Sequence, residues 1–174
     1  VHANDFDSDH ARDVVGSGRE YANRGHKSEL SGFARASYDV AAVHLYGDAQ
    51  LRHARFRYAG DLPLGSVDWT FLNPRLGGRF DAGRGLELFA SVGHASREPA
   101  RSDMLAGEDN ASLLYELAAV KPERVVDVET GIDYRRTRLQ LQASVYAMEF
   151  RNEIAQTGEL SEIGLPLRRN VDRS

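Results

Sequence analysis

Apolar and polar residues alternate one by one over several blocks of this chain, the period of a β-strand with two unlike faces. Between Val125 and Arg135, Val126, Val128, Thr130, Ile132 and Tyr134 fall on one side, and Asp127, Glu129, Gly131, Asp133 and Arg135 on the other. Between Leu139 and Arg151, Leu139, Leu141, Ala143, Val145 and Ala147 share a side against Gln140, Gln142, Ser144 and Tyr146. Only Arg136, Thr137 and Arg138 separate the two blocks, which predicts a hairpin. Upstream, Leu86, Leu88, Ala90 and Val92 oppose Glu87, Phe89 and Ser91, while Leu72, Leu76, Gly78 and Phe80 oppose Asn73, Arg75, Gly77 and Arg79. A glycine-rich turn over 81–85 joins this second pair. Earlier still, Val43, Leu45, Ala49 and Leu51 oppose His44, Tyr46, Asp48, Gln50 and Arg52. The apolar phase then slips by one, so that Ala54, Phe56 and Tyr58 oppose Arg55 and Arg57, which predicts a β-bulge. A weaker strand over 30–38 and a short last one beginning near Arg169 bring the total to about seven.

The connections sort by length. Short ones fall near 39–42, 81–85 and 136–138, and long ones at 1–26, 59–68, 97–123 and roughly 155–167. Consecutive strands reverse direction, so every short link lies at one end and every long one at the other. Outer-membrane barrels have this asymmetry of short periplasmic turns and long extracellular loops. The expected fold is therefore all-β, an antiparallel up-and-down meander forming part of a transmembrane β-barrel. Residues 1–174 would make one partial barrel domain, with 1–26 and 97–123 as long extracellular loops. Within 97–123, Pro99 ahead of Ala100 to Leu105 predicts a short helix, and Leu113, Leu114 and Leu117 a further helical turn.

Composition adjusts this picture in three ways. Mean hydropathy is -0.48 and no apolar run approaches the roughly 20 residues of a spanning helix, but strands that alternate lipid-facing and lumen-facing residues average to near neutral. The net charge of -4 comes with no basic stripe, so nucleic acid is not an expected partner. Cysteine is absent, which removes disulfides and thiolate metal sites. Val1 to Asp9 are polar and acidic, unlike a signal peptide, so the chain is expected to be processed or cut from something longer.

Alternation alone does not say which face meets lipid, since a half-exposed soluble sheet gives the same pattern. Two details favour lipid. The apolar sides are mostly Leu, Val and Ala, and the aromatics Tyr58, Trp69, Phe71, Phe80, Tyr134 and Phe150 sit near strand ends, where interfacial girdles lie.

Several stretches, taken in order, resemble the C-terminal barrel region of TonB-dependent receptors. They are Phe71-Leu72-Asn73-Pro74-Arg75-Leu76-Gly77, then Leu88-Phe89-Ala90-Ser91-Val92-Gly93, then Arg97-Glu98-Pro99-Ala100-Arg101-Ser102-Asp103. Lys121-Pro122-Glu123-Arg124 follows, ahead of a strand with Glu129 and Gly131, and then Asn152-Glu153-Ile154, Gly158-Glu159-Leu160 and Asn170-Val171-Asp172. The resemblance covers residues 69–174; 27–58 fit the same barrel less distinctively. It implies a 22-strand barrel in the outer membrane, plugged by an N-terminal domain and driven by the TonB complex, that imports a scarce nutrient such as a ferric siderophore. Expected partners are then outer-membrane lipid, the receptor's own plug domain, the TonB complex and a small nutrient ligand. No plug and no terminal strand ending in an aromatic is recognisable here. The other classes left open are a water-soluble or surface-exposed β-protein that binds a ligand or protein partner, and a barrel enzyme.

The candidate chemistry is sparse. Asp5, Asp7, Asp9 and His10 form the densest acidic cluster, and alternate oxygen ligands can hold Ca²⁺, but His10 stands where a calcium loop needs glycine. His44 and His53 are expected to point to lumen or solvent, and His94 to sit near the extracellular end of its strand. Arg75, Arg79, Asp127, Glu129, Asp133, Gln140 and Gln142 are expected on the lumen face, paired with one another or meeting the plug or a ligand. No serine sits in a nucleophile elbow, and carboxylate pairs such as Asp127 and Glu129 occur on any polar barrel face, so no catalytic, cofactor or metal residue is assigned and no enzyme is expected.

Overall fold

The computed structural model describes residues 2–14, 18–105, 114–160, 164 and 166–174, and side chains from residue 22 onward among them. Eight strands run in chain order across a single antiparallel sheet: β1 (His2–Val14), β2 (Gly18–Val40), β3 (Val43–Gly60), β4 (Gly65–Gly83), β5 (Leu86–Arg97), β6 (Glu123–Arg136), β7 (Leu139–Leu160) and β8 (Pro166–Arg173). Among the described residues one short helix, α1 (Arg101–Met104), lies between β5 and β6, where Pro99 foretells it. β1 and β8 are the two edges, so the sheet is not closed. Seven strands are those expected from alternation; the eighth is β1. Residues 2–14 are thus a strand paired with β2, not part of a long loop.

Cross-strand register lines up the apolar sides of β2 to β7. Val40 pairs with Val43, Tyr38 with Leu45 and Ala34 with Ala49; Leu51 pairs with Leu72 and Val43 with Phe80. Leu76 pairs with Val92, Leu88 with Ile132, Val128 with Ala147, and Tyr134 with Leu141. The result is one continuous apolar belt. It has no second layer over it among the described residues: Leu76 is 62% exposed and Val145 68%. From Leu30 to Val40 the belt runs ten residue steps, about 33 Å along the strand and about 25 Å along the normal at the tilt of such barrels, the height of a lipid-facing band.

At one edge of the belt the sidedness inverts. On β3, Arg55 and Arg57 follow Leu51 and His53 on the outward side and are exposed, while Ala54, Phe56 and Tyr58 follow Arg52 on the inward side and are buried. On β4 the outward Asp68 and Ser66 are exposed and the inward Phe71 is buried. The same switch occurs on β6 and β7, where Arg124 and Arg151 face outward and Val125 pairs with Phe150 on the inward side. No bulge is involved, because the β2–β3 and β3–β4 registers run unbroken through this region. The phase slip in the sequence marks a change of surroundings. Below it the outward side is apolar and uncovered; above it the outward side is polar and the inward side packs on the β5–β6 loop.

At the other edge the turns are tight: 41–42, 84–85 and 137–138. Arg84 and Gly85 both have positive φ (55° and 82°), as the two central residues of a type I′ turn require. At the upper edge the strands run beyond the belt and narrow the expected loops. The 59–68 connection shrinks to 61–64, and most of 155–167 belongs to β7 and β8. Only 98–122 remains a long connection. The aromatics divide accordingly. Phe80 and Tyr134 lie at the lower rim of the belt, but Tyr58, Trp69 and Phe71 serve an inward core and not a lipid girdle.

Candidate functional site

The inward face carries a polar floor and, above it, a loop folded across it. Two adjoining hollows of about 780 and 300 Å³ open on the floor. Both are lined by Tyr46, Arg75, Arg79 and Glu87; the first extends to Arg35, His44 and Asp48, the second to Glu129, Asp133 and Gln142. Of the lumen residues expected from sequence, Arg75, Arg79, Glu129, Asp133 and Gln142 therefore converge. Asp127 stands higher, against the bare backbone of Gly93, and Gln140 pairs with Arg135 at the lower edge. The floor satisfies itself largely across strands. Arg35 Nη2 donates to Asp48 at 2.9 Å, Arg79 pairs with Glu87 at 3.3 Å, Arg75 donates to Ser91 Oγ at 3.2 Å, and Arg135 grips Asp133 through two hydrogen bonds. Two aromatic rings lie flat over glycines on the neighbouring strand, Tyr46 over Gly77 and Phe89 over Gly131. A Cβ at either glycine would overlap the ring, so these glycines let the aromatics lie down against the sheet.

Above the floor, the first residues of the 98–122 loop are clamped to β2 and β3. Buried Glu98 accepts from Arg52 at 2.6 and 2.7 Å and from Lys27 at 2.5 Å, and Arg52 also donates to Glu29 at 2.7 Å. Burial pushes the Glu98 carboxyl upward, but the hydrogen bonds from Lys27 and Arg52 outweigh it and hold the group below the ordinary carboxylate range. Next along the loop, Asp103 accepts from Ala100 N at 2.9 Å, fixing the start of α1, and from Arg168 of β8 at 2.9 Å. The loop's far end is held by Asn170, which accepts from Lys121 N at 2.8 Å and donates to Lys121 O at 2.9 Å. Arg97 and Glu123 form an ion pair across its base. Between these ties, Met104, Leu105 and Leu117 pack with Phe56 and Tyr58 into a small apolar core, flanked by Trp69 and Leu62. Leu114, expected in the same turn as Leu117, is exposed, and Leu113 lies outside the described residues.

The histidines have local partners. His44 pairs with Asp39 beside the lower turn; His53 meets Thr70 Oγ1 at 3.0 Å on the outward side at the upper rim of the belt; His94 meets Leu72 O at 3.3 Å. Asp5, Asp7, Asp9 and His10 lie on β1, opposite Ser28, His26, Arg24 and Asn23, so the backbone there is an extended strand and not a ligand-wrapping loop. Their side chains lie outside the described residues. The Glu98–Arg52–Glu29–Lys27 cluster escapes a sequence reading because its members are far apart in the chain. Its one local trace is Glu98 ahead of Pro99, just where alternation stops.

A protein-family model for the TonB dependent receptor-like β-barrel matches residues 2–173. Among solved structures, the copper transporter OprC superposes with a TM-score of 0.70 at 18% identity, over 94% of this chain and 28% of its own. The FrpB iron transporter from Neisseria meningitidis (F3-3 variant) gives 0.56 at 18% identity, over 86% of this chain and 22% of its own. The siderophore receptor PirA from Pseudomonas aeruginosa gives 0.56 at 13% identity, over 89% of this chain and 39% of its own. This chain thus spans between about a fifth and two fifths of the proteins it resembles. No curated protein matches its sequence.

Proposed function

This chain belongs to the TonB-dependent receptor-like β-barrel family, and we propose that it forms eight adjoining strands in the barrel wall of an outer-membrane receptor that takes up a metal ion or metal chelate, such as a ferric siderophore. The family is one of receptors and transporters, not enzymes. The observation that carries the proposal is the register-matched apolar belt backed by a polar inner floor, inverting at one rim. A wall between lipid and a wet, plugged lumen needs that arrangement. A soluble β-protein would have to cover Leu76, Val145 and their neighbours with something of its own.

In this reading the floor around Arg75, Arg79 and Glu129 faces the receptor's plug domain, and the clamped 98–122 loop lies over the external mouth. The plug answers to the TonB complex at the inner membrane. The three similar structures are a copper transporter, an iron transporter and a siderophore receptor, which supports a metal ion or a metal chelate as the cargo class. The test is uptake: cells whose sole receptor contains this chain are given labelled ferric siderophores and copper, with and without a protonophore. Accumulation that collapses with the proton gradient supports the proposal. No energised uptake of any metal or chelate, with the receptor present in the outer membrane, contradicts it.

A further inference from the structure

Just above the apolar belt, three arginines stand side by side on the outward face. Arg124 of β6 pairs directly with Arg151 of β7, and Arg151 with Arg173 of β8. Like charges opposite one another on neighbouring strands destabilise a sheet, and these lie at about 5 Å strand spacing. One anion answers them: Glu149, a residue pair nearer the belt, bonds Arg151 at 3.2 Å and Arg173 at 3.1 Å. Arg124 has no ion-pair partner among the described residues and is exposed. Among the described residues the row therefore sets three positive charges against one negative. Arg151 and Arg173 are about 70% exposed even while bonded to Glu149. Directly beneath, on the same face, lie Val126, Val128, Val145 and Ala147.

A cationic row standing on an apolar wall matches a molecule with anionic oxygens at one end and hydrocarbon at the other. Arginine forks suit phosphate oxygens. We propose that Arg124, Arg151 and Arg173 bind the phosphate of a phosphorylated lipid in the external leaflet, whose acyl chains lie along Val126, Val128 and Val145. The row rests on the reading of the belt as lipid-facing. Glu149 acts as a built-in competitor, holding two arginines in place when no lipid is bound.

The test uses the receptor in its native length, in a neutral phosphate-free detergent. Binding of a phosphorylated glycolipid and of its dephosphorylated form is followed by native mass spectrometry. The wild type should hold the phosphorylated lipid preferentially. The double variant Arg124→Gln/Arg151→Gln should lose about tenfold in affinity for it and nothing for the dephosphorylated form, as expected for lost charge-assisted bonds. Glu149→Gln acts in the opposite direction, tightening phosphorylated-lipid binding by freeing two arginines, so a folding defect cannot imitate both results. Equal binding of the two lipids, or no change in either variant, overturns the proposal while leaving the belt intact. Competition by inorganic phosphate as strong as by lipid also overturns it, since the site would then serve a soluble anion. Failure of either lipid to associate at all would instead count against the belt reading.

Discussion

Removing the Glu98 carboxylate should loosen the start of the 98–122 loop from the inner face. The Glu98 side chain is 4% exposed and accepts hydrogen bonds from two cations, Arg52 at 16% and Lys27 at 38% exposure. Breaking a buried ion pair by deleting one partner costs about 3–5 kcal/mol when the remaining charge is stranded. Arg52 would not be stranded, because Glu29 still holds it at 2.7 Å, and the Lys27 contact is partly screened by solvent. Glu98→Gln should therefore cost about 2–3 kcal/mol, the range of the charged hydrogen bonds lost. The Arg168–Asp103 pair and the Asn170–Lys121 bonds remain, so the loss should appear locally, as opening of the first half of the loop. An increase of about 30- to 160-fold in the opening constant follows from that energy. Hydrogen exchange at the amides of Asp103, Met104 and Leu105, which bond to Ala100 and Ser102 carbonyls, reads it directly. Unchanged exchange there in Glu98→Gln would refute the clamp.

The clamp also fixes a pH dependence. The folded Glu98 carboxyl titrates below its unfolded value of about 4.3, so its contribution is complete above that pH and is lost as pH falls through the lower folded value; loop protection should hold from neutral pH to about 5 and fail in stronger acid, and failure already at pH 6 would contradict the assignment. On the belt, Val128→Arg should destabilise the folded protein in lipid by about 2–4 kcal/mol, whereas Gln142→Arg on the inner floor should cost about 1 kcal/mol or less; denaturant midpoints in bilayers distinguish the two. At the aromatic–glycine pairs, Gly131→Ala should be costlier than Gly77→Ala, since its Cβ would strike the Ala143 carbonyl as well as Phe89, while at Gly77 it meets only the swinging end of Tyr46. About 1–3 kcal/mol is expected for Gly131→Ala from overpacking, and equal stability of the two variants would count against the close approach.

Alternation is readable wherever the two sides of a strand differ in polarity. Val126 to Tyr134 and Leu139 to Ala147 are the clearest cases, and the register there puts the apolar and polar sets on opposite sides of the sheet. Where a strand leaves the belt, that contrast weakens or inverts. Asp5 to His10 of β1 show no apolar side, and so read as a loop. Phe56 and Tyr58 read as a bulge because the rule of an apolar outside was carried past the rim, where their inward side packs on Leu105 and Leu117. The polar floor was legible as a face, but its pairing was not. Which acid meets Arg52 depends on where a loop 46 residues away folds back, and nothing local to Arg52 encodes Glu98.

The central claim is that the Val and Leu side of these strands meets hydrocarbon until the rim at Arg124, and the Asp and Glu side never does. Single cysteines carrying nitroxide labels, placed in turn from Arg124 to Tyr134 of β6 in the receptor reconstituted in bilayers, test it. The account predicts period-two alternation, with positions 126, 128, 130 and 132 open to lipid-soluble oxygen, positions 127, 129, 131 and 133 closed to it, and position 124 open to a water-soluble nickel chelate. Equal oxygen access on both faces, or the chelate reaching positions 128 and 130, would contradict it.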